Sequence, residues 1–470
     1  MAFAENLPTV QPCYPLIGNG MNVLWKTDEE RFSSMMGGFQ NPAKLFKAWL
    51  AVVPLICTGD PEMIQKILNH PQCLQKAPFY DMIRCEFGLF VAHYNIWKRQ
   101  RKALNSTFNV KILNGFVPIF DRHAQVLVED LLKYPTGKKV QITSYTIRCA
   151  LAMVCGTTIG CDIHEDQKAD KFSQLFDTIA EMVSMRMVNP ILHVEFIYRL
   201  TSSYKMEKAA RTEIYGFINK NAKIQRASRT EPSESSDQGD YRKPKIFIDQ
   251  LLDLYEQNFF SETEVFDNVI TMIAAGTDTS GTILGIIAHM LAIHPQLQEK
   301  VYQEIKKVFP AHDELSITPE KLGQLQYTEM FIKETLRLFP ITPIIMRKTM
   351  REIELDEIKI PAGTLLTVCI HSLHRRTEIW GSKAEEFNPE NFTSERIESR
   401  HPFAYIPFSG GNRNCIGFRY AMNSMKTVIV HLLLNFKLKS DLMRASDLRL
   451  KFAGLLKLSA EPGLTLEQRA

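Results

Sequence analysis

One cysteine stands by itself among glycines and arginines near the end of the chain. Cys415 lies in the stretch FSGGNRNCIGFRY, residues 408–420, with no second cysteine or histidine at metal-ligand spacing nearby. The run after it, Ile416–Phe436, has helical periodicity, and the N-terminus of a helix favours negative charge. Arg413 and Arg419 add positive charge, so we predict a thiolate rather than a neutral thiol. A lone thiolate in a glycine-lined loop suits one axial bond to an iron whose other ligands come from a porphyrin.

A cluster of polar residues interrupts a long apolar run in the stretch AAGTDTS, Ala274–Ser280. Burying hydroxyls and a carboxylate without partners is unfavourable, and Gly276 lowers helix propensity by about 1 kcal/mol. A helix with a purely structural role would not need these polar residues. The cluster therefore indicates a chemical role for Asp278 and Thr279. The alternative is a kinked helix whose hydroxyls bond to the carbonyls four residues earlier.

Two further short patterns place a charged residue one helical turn from a partner. Trp97 and Arg101 in WKRQR stand four residues apart. Glu334 and Arg337 in KETLRLFP stand three apart, so each pair shares a helix face. By themselves such pairs are most often solvated surface contacts. Arg347 follows the second pattern, and arginine is well suited to bind carboxylates.

Together these motifs resemble those of the cytochrome P450 family. FSGGNRNCIG fits the family's haem-binding signature F-x-x-G-x-R-x-C-x-G at every fixed position, and KETLRLFP matches its E-x-x-R motif. AAGTDTS matches the family's A/G-G-x-D/E-T-T/S motif, and the order of elements is most similar to animal microsomal enzymes, with insect-like features. One departure is Asn391 in FNPENF, where arginine is commonest in the family. Asparagine can still hydrogen-bond, but it brings no charge to the network around Glu334 and Arg337.

The resemblance implies a single catalytic domain over residues 1–470. Its fold is mainly α with small β-sheets (α+β), with a long central helix over a buried haem. Cys415 is then the iron ligand, and Gly276 leaves room for dioxygen. Thr279 hydrogen-bonds the distal oxygen, and Asp278 helps to relay protons. The other cofactor-binding residues, four of which surround the haem carboxylates, are Trp97, Arg101, Arg347, Phe408 and Arg413.

The implied reaction inserts one atom of O2 into a lipophilic small molecule, either an endogenous lipid or hormone or a xenobiotic such as an insecticide. Electrons come from NADPH through NADPH–cytochrome P450 reductase, since the chain has no flavin or nicotinamide fingerprint of its own. The haem b is not covalently linked, because Ala275 stands where relatives with a haem ester carry glutamate. Two alternatives stay open: a haem-thiolate isomerase or dehydratase of the same fold, and a non-catalytic haem carrier or gas sensor.

A basic face is the predicted dock for the acidic reductase, with a plain solvated surface as the alternative. Its residues are Lys98, Arg99, Lys102, Arg419 and Lys426. The predicted walls of the substrate cavity are apolar stretches. They are Phe79–Phe90, Ile270–Ala275, Ile341–Met346 and Phe452–Leu456.

Several predicted elements must position these residues. Ser261 and Glu264 form a capping box that opens a helix extending to about Ile293, roughly 50 Å long. Ala48–Cys57 is predicted as one buried strand. Arg351–Ile370 is predicted as two strands around a Pro-Ala-Gly turn.

Composition limits the partners and the compartment. The 56 Lys+Arg and 52 Asp+Glu leave a net charge of +4, too balanced for a nucleic-acid binder. The nine cysteines are odd in number and widely spread, which predicts a reducing compartment without disulfides. Residues 1–20 are predicted as a proline-rich arm, and residues 226–245 as an exposed flexible loop.

The predicted location is the cytoplasmic face of the endoplasmic reticulum (microsomal) membrane, as a peripheral protein. No apolar run is expected to reach the ~20 residues of a spanning helix. The chain begins almost at the hinge that follows the anchor of microsomal relatives, so we expect a truncated form or an isoform rather than a soluble enzyme. Met187–Leu200 either binds the membrane surface or belongs to the core.

Overall fold

The computed structural model describes residues 5–20, 26–50, 52–135, 137–163, 169–230, 246–310 and 315–469. Helices dominate these ranges and short strands gather in small sheets, which confirms the predicted fold class. The helices are α1 (Asp28–Gly38), α2 (Pro61–Asn69), α3 (Tyr94–Leu104), α4 (Val110–Asn114), α5 (Val117–Leu132), α6 (Ile142–Ile159), α7 (Ala169–Val188), α8 (Glu195–Arg199), α9 (Ser202–Thr230), α10 (Phe247–Glu256), α11 (Glu262–Ile293), α12 (Pro295–Val308), α13 (Pro319–Gln324), α14 (Gln326–Leu338), α15 (Ile370–Leu373), α16 (Thr377–Trp380), α17 (Ser394–Glu398) and α18 (Phe418–Asn435). The strands are β1 (Phe46–Leu50), β2 (Val53–Thr58), β3 (Gln75–Lys76), β4 (Lys139–Val140), β5 (Ile344–Lys348), β6 (Ile353–Leu355), β7 (Ile358–Ile360), β8 (Leu365–Cys369), β9 (Phe436–Lys439), β10 (Leu450–Ala453), β11 (Leu455–Leu458) and β12 (Leu464–Gln468).

The long helix α11 forms where the sequence predicts it. The Ser261 hydroxyl accepts the Glu264 N–H at 3.2 Å, and the Glu264 carboxylate accepts the Ser261 N–H at 2.9 Å. This capping box and the end at Ile293 confirm the predicted boundaries. α11 packs against α6. At Gly281 a Cβ would lie 2.5 Å from the Cα of Ile147, so glycine lets the two backbones approach closely.

Two of the described helices, α6 and α11, are long and apolar enough to cross a membrane by length and composition. The expectation that no run reaches this length was therefore wrong. In the most apolar windows, 67% of α6 and 61% of α11 is buried inside the protein. This burial is the behaviour of core helices, whose apolar surface is covered by other parts of the same chain.

The largest described sheet has the strand order β1-β2-β8-β5-β3. Two predictions about its strands need correction. The stretch Ala48–Cys57 is not one strand: β1 and β2 pair antiparallel, with Leu50 opposite Val53. The stretch Arg351–Ile370 holds three strands, because β6 and β7 form a hairpin of their own ahead of the Pro-Ala-Gly turn that leads to β8. Short apolar runs do not show where a tight turn divides them.

The pair Glu334 and Arg337 on α14 is completely buried and organises the chain that follows it. The Nε and Nη2 atoms of Arg337 each donate to the Glu334 carboxylate at 2.7 Å. The same carboxylate accepts the Asn388 N–H at 2.7 Å and the side-chain amide of Asn391 at 3.2 Å. Asn391 therefore occupies the third place of the network as a neutral donor. Arg396 donates to its amide oxygen at 3.1 Å and brings a charge nearby.

The two segments predicted at the periphery are only partly described. Within residues 5–20, isolated bridges join Thr9 to Lys47 and Gly18 to Leu50, so this part of the arm lies along β1. Of the predicted loop 226–245, residues 226–230 continue α9 as helix, which corrects that boundary. Residues 231–245 lie outside the described residues.

Candidate active site

A cavity of about 280 Å³ is bounded by residues of α11 and by the loop that carries Cys415. Every predicted site residue except Asp278 lines it. These are Trp97, Arg101, Gly276, Thr279, Arg347, Phe408, Arg413 and Cys415. Elements far apart in sequence therefore bring the predicted groups to one space.

Tight local contacts shape the cysteine loop. The Cys415 N–H donates to the carbonyl of Phe408 at 2.9 Å, which closes the loop on itself. Gly411 has a φ of 68°, and a Cβ there would lie 2.1 Å from the carbonyl oxygen of Leu68. Glycine is required at this position by backbone conformation and by space. α18 begins at Phe418, two residues later than predicted.

The charges around the Cys415 thiol differ from those predicted. Burial raises the pKa of the thiol, while the Gly417 N–H and the charges of Arg101 and Lys76 act in the opposite direction. Arg419 is exposed and lies over the ring of Phe418, so it is not one of these charges. The Gly417 N–H and the charge of Arg101 act in favour of a thiolate, whereas Arg419 does not contribute. That Cys415 is a thiolate stays a prediction. Coordination to a metal deprotonates a thiol directly.

Three arginines and one tryptophan meet at the rim of the cavity. Arg101 donates from Nη1 to the Asn414 carbonyl at 2.9 Å and from Nη2 to the Asn414 side chain at 2.8 Å, which ties α3 to the cysteine loop. Arg413 donates to the Leu74 carbonyl at 2.6 Å, and its guanidinium lies 5.0 Å from the Trp97 ring. The buried Arg347 donates from Nη1 to the carbonyl of its own neighbour, Met346, at 3.1 Å.

Lys76 is a further cation in the cavity that the sequence did not reveal. It stands on β3 directly opposite Arg347 on β5, and it is only 8% exposed. Its Nζ lies 3.3 Å from the centroid of the Phe90 ring and 4.4 Å from that of Tyr80. Burial, and then repulsion by Arg347 and Arg413, lowers its pKa. A two-residue strand carries no readable periodicity, so the sequence offered no signal for this lysine.

The residues present fit a haem. Lys76, Arg101, Arg347 and Arg413 line the cavity, and none of its described lining residues carries a carboxylate. The Nε of Arg413 is buried without a hydrogen-bond partner. A cluster of buried cations is unfavourable without an anion, and the two carboxylates of a haem supply one. Burial lowers the pKa of Arg413 to about 9, which shows how strongly the site disfavours unpaired positive charge.

The polar stretch of α11, Ala274–Ser280, places Thr279 at the cavity, next to Gly276. The Thr279 hydroxyl donates to the Ala275 carbonyl, four residues earlier, at 2.5 Å. This bond is the structural alternative raised by the sequence, and it occupies the hydroxyl proton. At Gly276 a Cβ would lie 2.8 Å from a methyl group of Val154 on α6. Glycine is therefore needed here for helix packing, whatever space it also leaves in the cavity.

Asp278 does not line the cavity. Its Oδ1 lies 2.8 Å from the Nζ of Lys457 on β11, and that Nζ lies 3.7 Å from Asp177 of α7. Although burial opposes it, the two carboxylates raise the pKa of Lys457. The structure thus places the predicted proton relay beside the cavity, in an ion pair. Its catalytic role stays a prediction.

Three of the four predicted wall stretches do line the cavity. They contribute Leu89, Phe90, Thr271, Met272, Ala275, Ile341, Thr342 and Ile345. The fourth stretch, Phe452–Leu456, is not among the lining residues, so that prediction was wrong. It belongs to the β10-β11 hairpin, whose Lys457 reaches Asp278 instead.

Comparison with known proteins identifies the family to which this chain belongs. The family model described as cytochrome P450 matches residues 8–464. The chain belongs to the cytochrome P450 family. It is 32% identical over 439 residues to cytochrome P450 4c21 of Blattella germanica, covering 91% of this chain and 87% of that protein. It is 30% identical over 462 residues to probable cytochrome P450 313a2 of Drosophila melanogaster, covering 97% and 92%. Cytochrome P450 4V2 of Homo sapiens is 30% identical over 453 residues, covering 93% and 85%.

These relatives confirm the predicted family and its insect-like animal character. As a cytochrome P450, the chain is an oxidoreductase of the haem monooxygenase class, and the family implies haem b as its cofactor. The predicted docking surface for the reductase needs one correction. Lys426 is 5% exposed and donates to Glu329 at 2.7 Å, so it is not available to a partner. Lys98, Arg99, Lys102 and Arg419 are exposed.

Proposed function

We propose that this cytochrome P450 inserts one atom of O2 into a lipophilic small molecule, with electrons from NADPH delivered by NADPH–cytochrome P450 reductase. The observation that carries the proposal is one cavity that collects a cysteine thiol, four cations without a lining carboxylate, and Thr279 of α11. When bound, haem b supplies the iron chemistry that activates dioxygen.

The protein's own groups would hold the haem. Cys415 would provide the sulfur ligand to the haem iron, from a loop that the Cys415 N–H closes by donating to the Phe408 carbonyl. Arg347 and Arg413 are the buried donors for the haem carboxylates, because their guanidinium groups are not saturated by protein acceptors. Arg101 and Trp97 complete this rim, with Arg101 fixed by Asn414.

Protons must reach a space that is otherwise apolar. Thr279 is the proposed donor on the cavity side, and its hydroxyl has to rotate away from the Ala275 carbonyl to serve. Asp278 is the proposed link to the surface. The ion pair with Lys457 must open, or Lys457 must itself hand on a proton, before the carboxylate can carry one.

The walls support a lipophilic substrate. Leu89, Phe90, Met272, Ile341 and Ile345 supply apolar surface to the cavity. We propose an endogenous lipid or hormone, or a xenobiotic such as an insecticide, as the substrate class. Ala275 lines the cavity with a methyl group, which supports a haem without a covalent link to the protein.

The partners are proposed from exposed surfaces. Lys98, Arg99 and Lys102 lie on α3, the helix whose Arg101 contacts the cysteine loop, so an acidic reductase docked there would approach the haem. Ile191 is 64% exposed, Phe196 71% and Leu200 70%, which argues against the core reading of Met187–Leu200. We propose that this segment contacts the cytoplasmic face of the endoplasmic reticulum membrane.

The test uses the haem-loaded protein with reductase, NADPH and an extract of the source organism under isotopic dioxygen. We expect one labelled oxygen atom in a lipophilic product, only when NADPH and reductase are both present. A product that forms without label would instead favour the isomerase or dehydratase alternative. NADPH consumption that stays uncoupled with every fraction would favour a haem carrier or sensor.

A further inference from the structure

A buried histidine, His374, connects two parts of the chain behind the cysteine loop. It directly follows α15, is 0% exposed, and is not one of the described residues that line the cavity. The Ile406 N–H donates to Nε2 of His374 at 3.0 Å. The two residues are 32 positions apart, and Ile406 belongs to the segment that leads into the cysteine loop. His374 therefore acts on this loop from outside the cavity.

The hydrogen bond from Ile406 fixes where the imidazole carries its proton. Because Nε2 accepts a backbone N–H, the neutral ring must hold its proton on Nδ1. Nδ1 is buried and has no hydrogen-bond partner among the described residues. Burial, and then the charges of Arg337 and Arg375, lower the pKa of His374, so the ring is neutral. An unpaired buried N–H is unfavourable, so an apolar side chain would fill this space better. What histidine supplies here is the acceptor at Nε2.

The backbone of His374 is held by the buried ion pair of α14. Arg337, which pairs with Glu334, donates from Nη1 to the His374 carbonyl at 2.8 Å. The His374 N–H donates to the carbonyl of Ile370 at 3.0 Å and so closes the last turn of α15. The backbone of His374 is thus fixed to the core of the protein, and only its ring extends towards Ile406.

The ring of His374 contacts two consecutive residues of that segment. Besides the bond to Ile406, the Tyr405 ring stacks on the imidazole, with the centroids 5.2 Å apart and an angle of 29° between the planes. The Tyr405 hydroxyl donates to the Lys333 carbonyl of α14 at 2.9 Å. The Trp380 ring meets the imidazole edge-on at 6.4 Å. Residues 405 and 406 are therefore held between His374 and α14.

Two backbone hydrogen bonds continue from Ile406 to the thiol. The Ile406 carbonyl accepts the Ser409 N–H at 2.9 Å, and the Phe408 carbonyl accepts the Cys415 N–H at 2.9 Å. Ser409 has a φ of 62°, a conformation that a residue other than glycine keeps only where its surroundings impose it. This turn therefore depends on the fixed position of Ile406. A shift of Ile406 would move the turn and, through Phe408, Cys415.

We propose that His374 is a positioning residue for the bond between Cys415 and the haem iron. Its neutral ring connects the fixed core at α14 to the start of the cysteine loop, through one hydrogen bond and one ring contact. Without the acceptor at Nε2, the buried Ile406 N–H is left unpaired, and the loop gains positions in which the sulfur does not reach the iron. The inference rests on the proposed function only in that Cys415 is the ligand of a haem.

The experiment follows the far-red-shifted Soret band of the dithionite-reduced carbon monoxide complex over time in mild urea. H374L fills the space but removes the acceptor, and it should speed the loss of the band by about tenfold, the factor expected for one unpaired buried N–H. H374Q offers a side-chain carbonyl as an acceptor and should bring the rate back towards that of the wild type. Far-ultraviolet circular dichroism in the same urea should show the helices of each variant intact over this time.

H371L is the matched control for a buried histidine on the same helix. His371 lies three residues before His374, is 6% exposed, and packs edge-on against Phe32 of α1 with the ring centroids 5.6 Å apart. H371L should lose the band at the rate of the wild type. Equal rates for H374L and the wild type, or equal acceleration in H371L and H374L, would overturn the positioning role.

The tautomer of His374 is measured on the wild-type protein, and this result decides if H374L yields no holoprotein. In a carbon monoxide complex with isotope-labelled histidine nitrogens, the nuclear magnetic resonance signals of His374, identified by their absence in H374Q, should show a proton on Nδ1 and none on Nε2. A proton on Nε2 would overturn the inference. A wild-type holoprotein without the shifted band contradicts the proposed function, whereas a band that H374L keeps as long as the wild type contradicts the role of His374 alone.

Discussion

Removing the charge of Glu334 tests how much the buried ion pair on α14 contributes to the stability of the fold. The side chains of Glu334 and Arg337 are both 0% exposed. Arg337 also donates hydrogen bonds to the backbone carbonyls of His374, Ala384 and Glu386. Glu334→Gln keeps the shape of the side chain but leaves a buried guanidinium without its counter-charge. Breaking a buried pair in this way costs about 3–5 kcal/mol, so we expect the free energy of unfolding to fall by that amount.

The assay is urea unfolding of the haem-loaded protein, followed by far-ultraviolet circular dichroism and by the haem absorption band. Glu386→Gln is the matched control, because this carboxylate is 63% exposed and pairs with an exposed lysine. Its effect should stay within about 0.5 kcal/mol. In a double-mutant cycle, E334Q/R337M should lose less than the sum of the two single changes. A loss below about 1 kcal/mol in E334Q would refute the reasoning.

Three further changes test the cavity itself. Thr279→Ala should lower product formed per NADPH by about tenfold or more and raise peroxide release, and unchanged coupling would contradict the proton-donor role. Gly276→Ala should destabilise the protein by about 1–3 kcal/mol because its Cβ meets Val154, and adding Val154→Ala should restore stability in thermal unfolding; no rescue would contradict the helix contact. Lys76→Gln should speed haem transfer to apomyoglobin by about tenfold through loss of a charge-assisted bond, whereas Lys348→Gln, on the neighbouring strand and outside the cavity, should not; equal rates would remove Lys76 from the haem rim.

Sequence patterns were sufficient where the physical cause is local. The capping box of α11 depends on residues three positions apart, and the structure shows it. The family likeness added Arg101 and Arg347 as residues around the haem carboxylates, and both line the cavity together with Arg413.

Long-range pairing was beyond the sequence. No sequence pattern near Asp278 indicates that Lys457 is its partner, because the two residues come into contact only through the packing of the β10-β11 hairpin against α11. Lys426 and the exposed Arg419 both lie on α18. Lys426 is nevertheless buried, where its amine donates to Glu329 of α14. The amine of Lys76 faces the cavity through the register of β3 with β5, which no periodicity in two residues encodes.

The central claim is that the sulfur of Cys415 bonds to the haem iron. The direct measurement is the absorption spectrum of the purified, dithionite-reduced holoprotein under carbon monoxide, with Cys415→His as the comparison. We predict the far-red-shifted Soret band of a thiolate-ligated haem in the wild-type protein and its loss in the variant. A fully assembled wild-type holoprotein without the shifted band, or a Cys415→His variant that keeps it, would contradict the assignment.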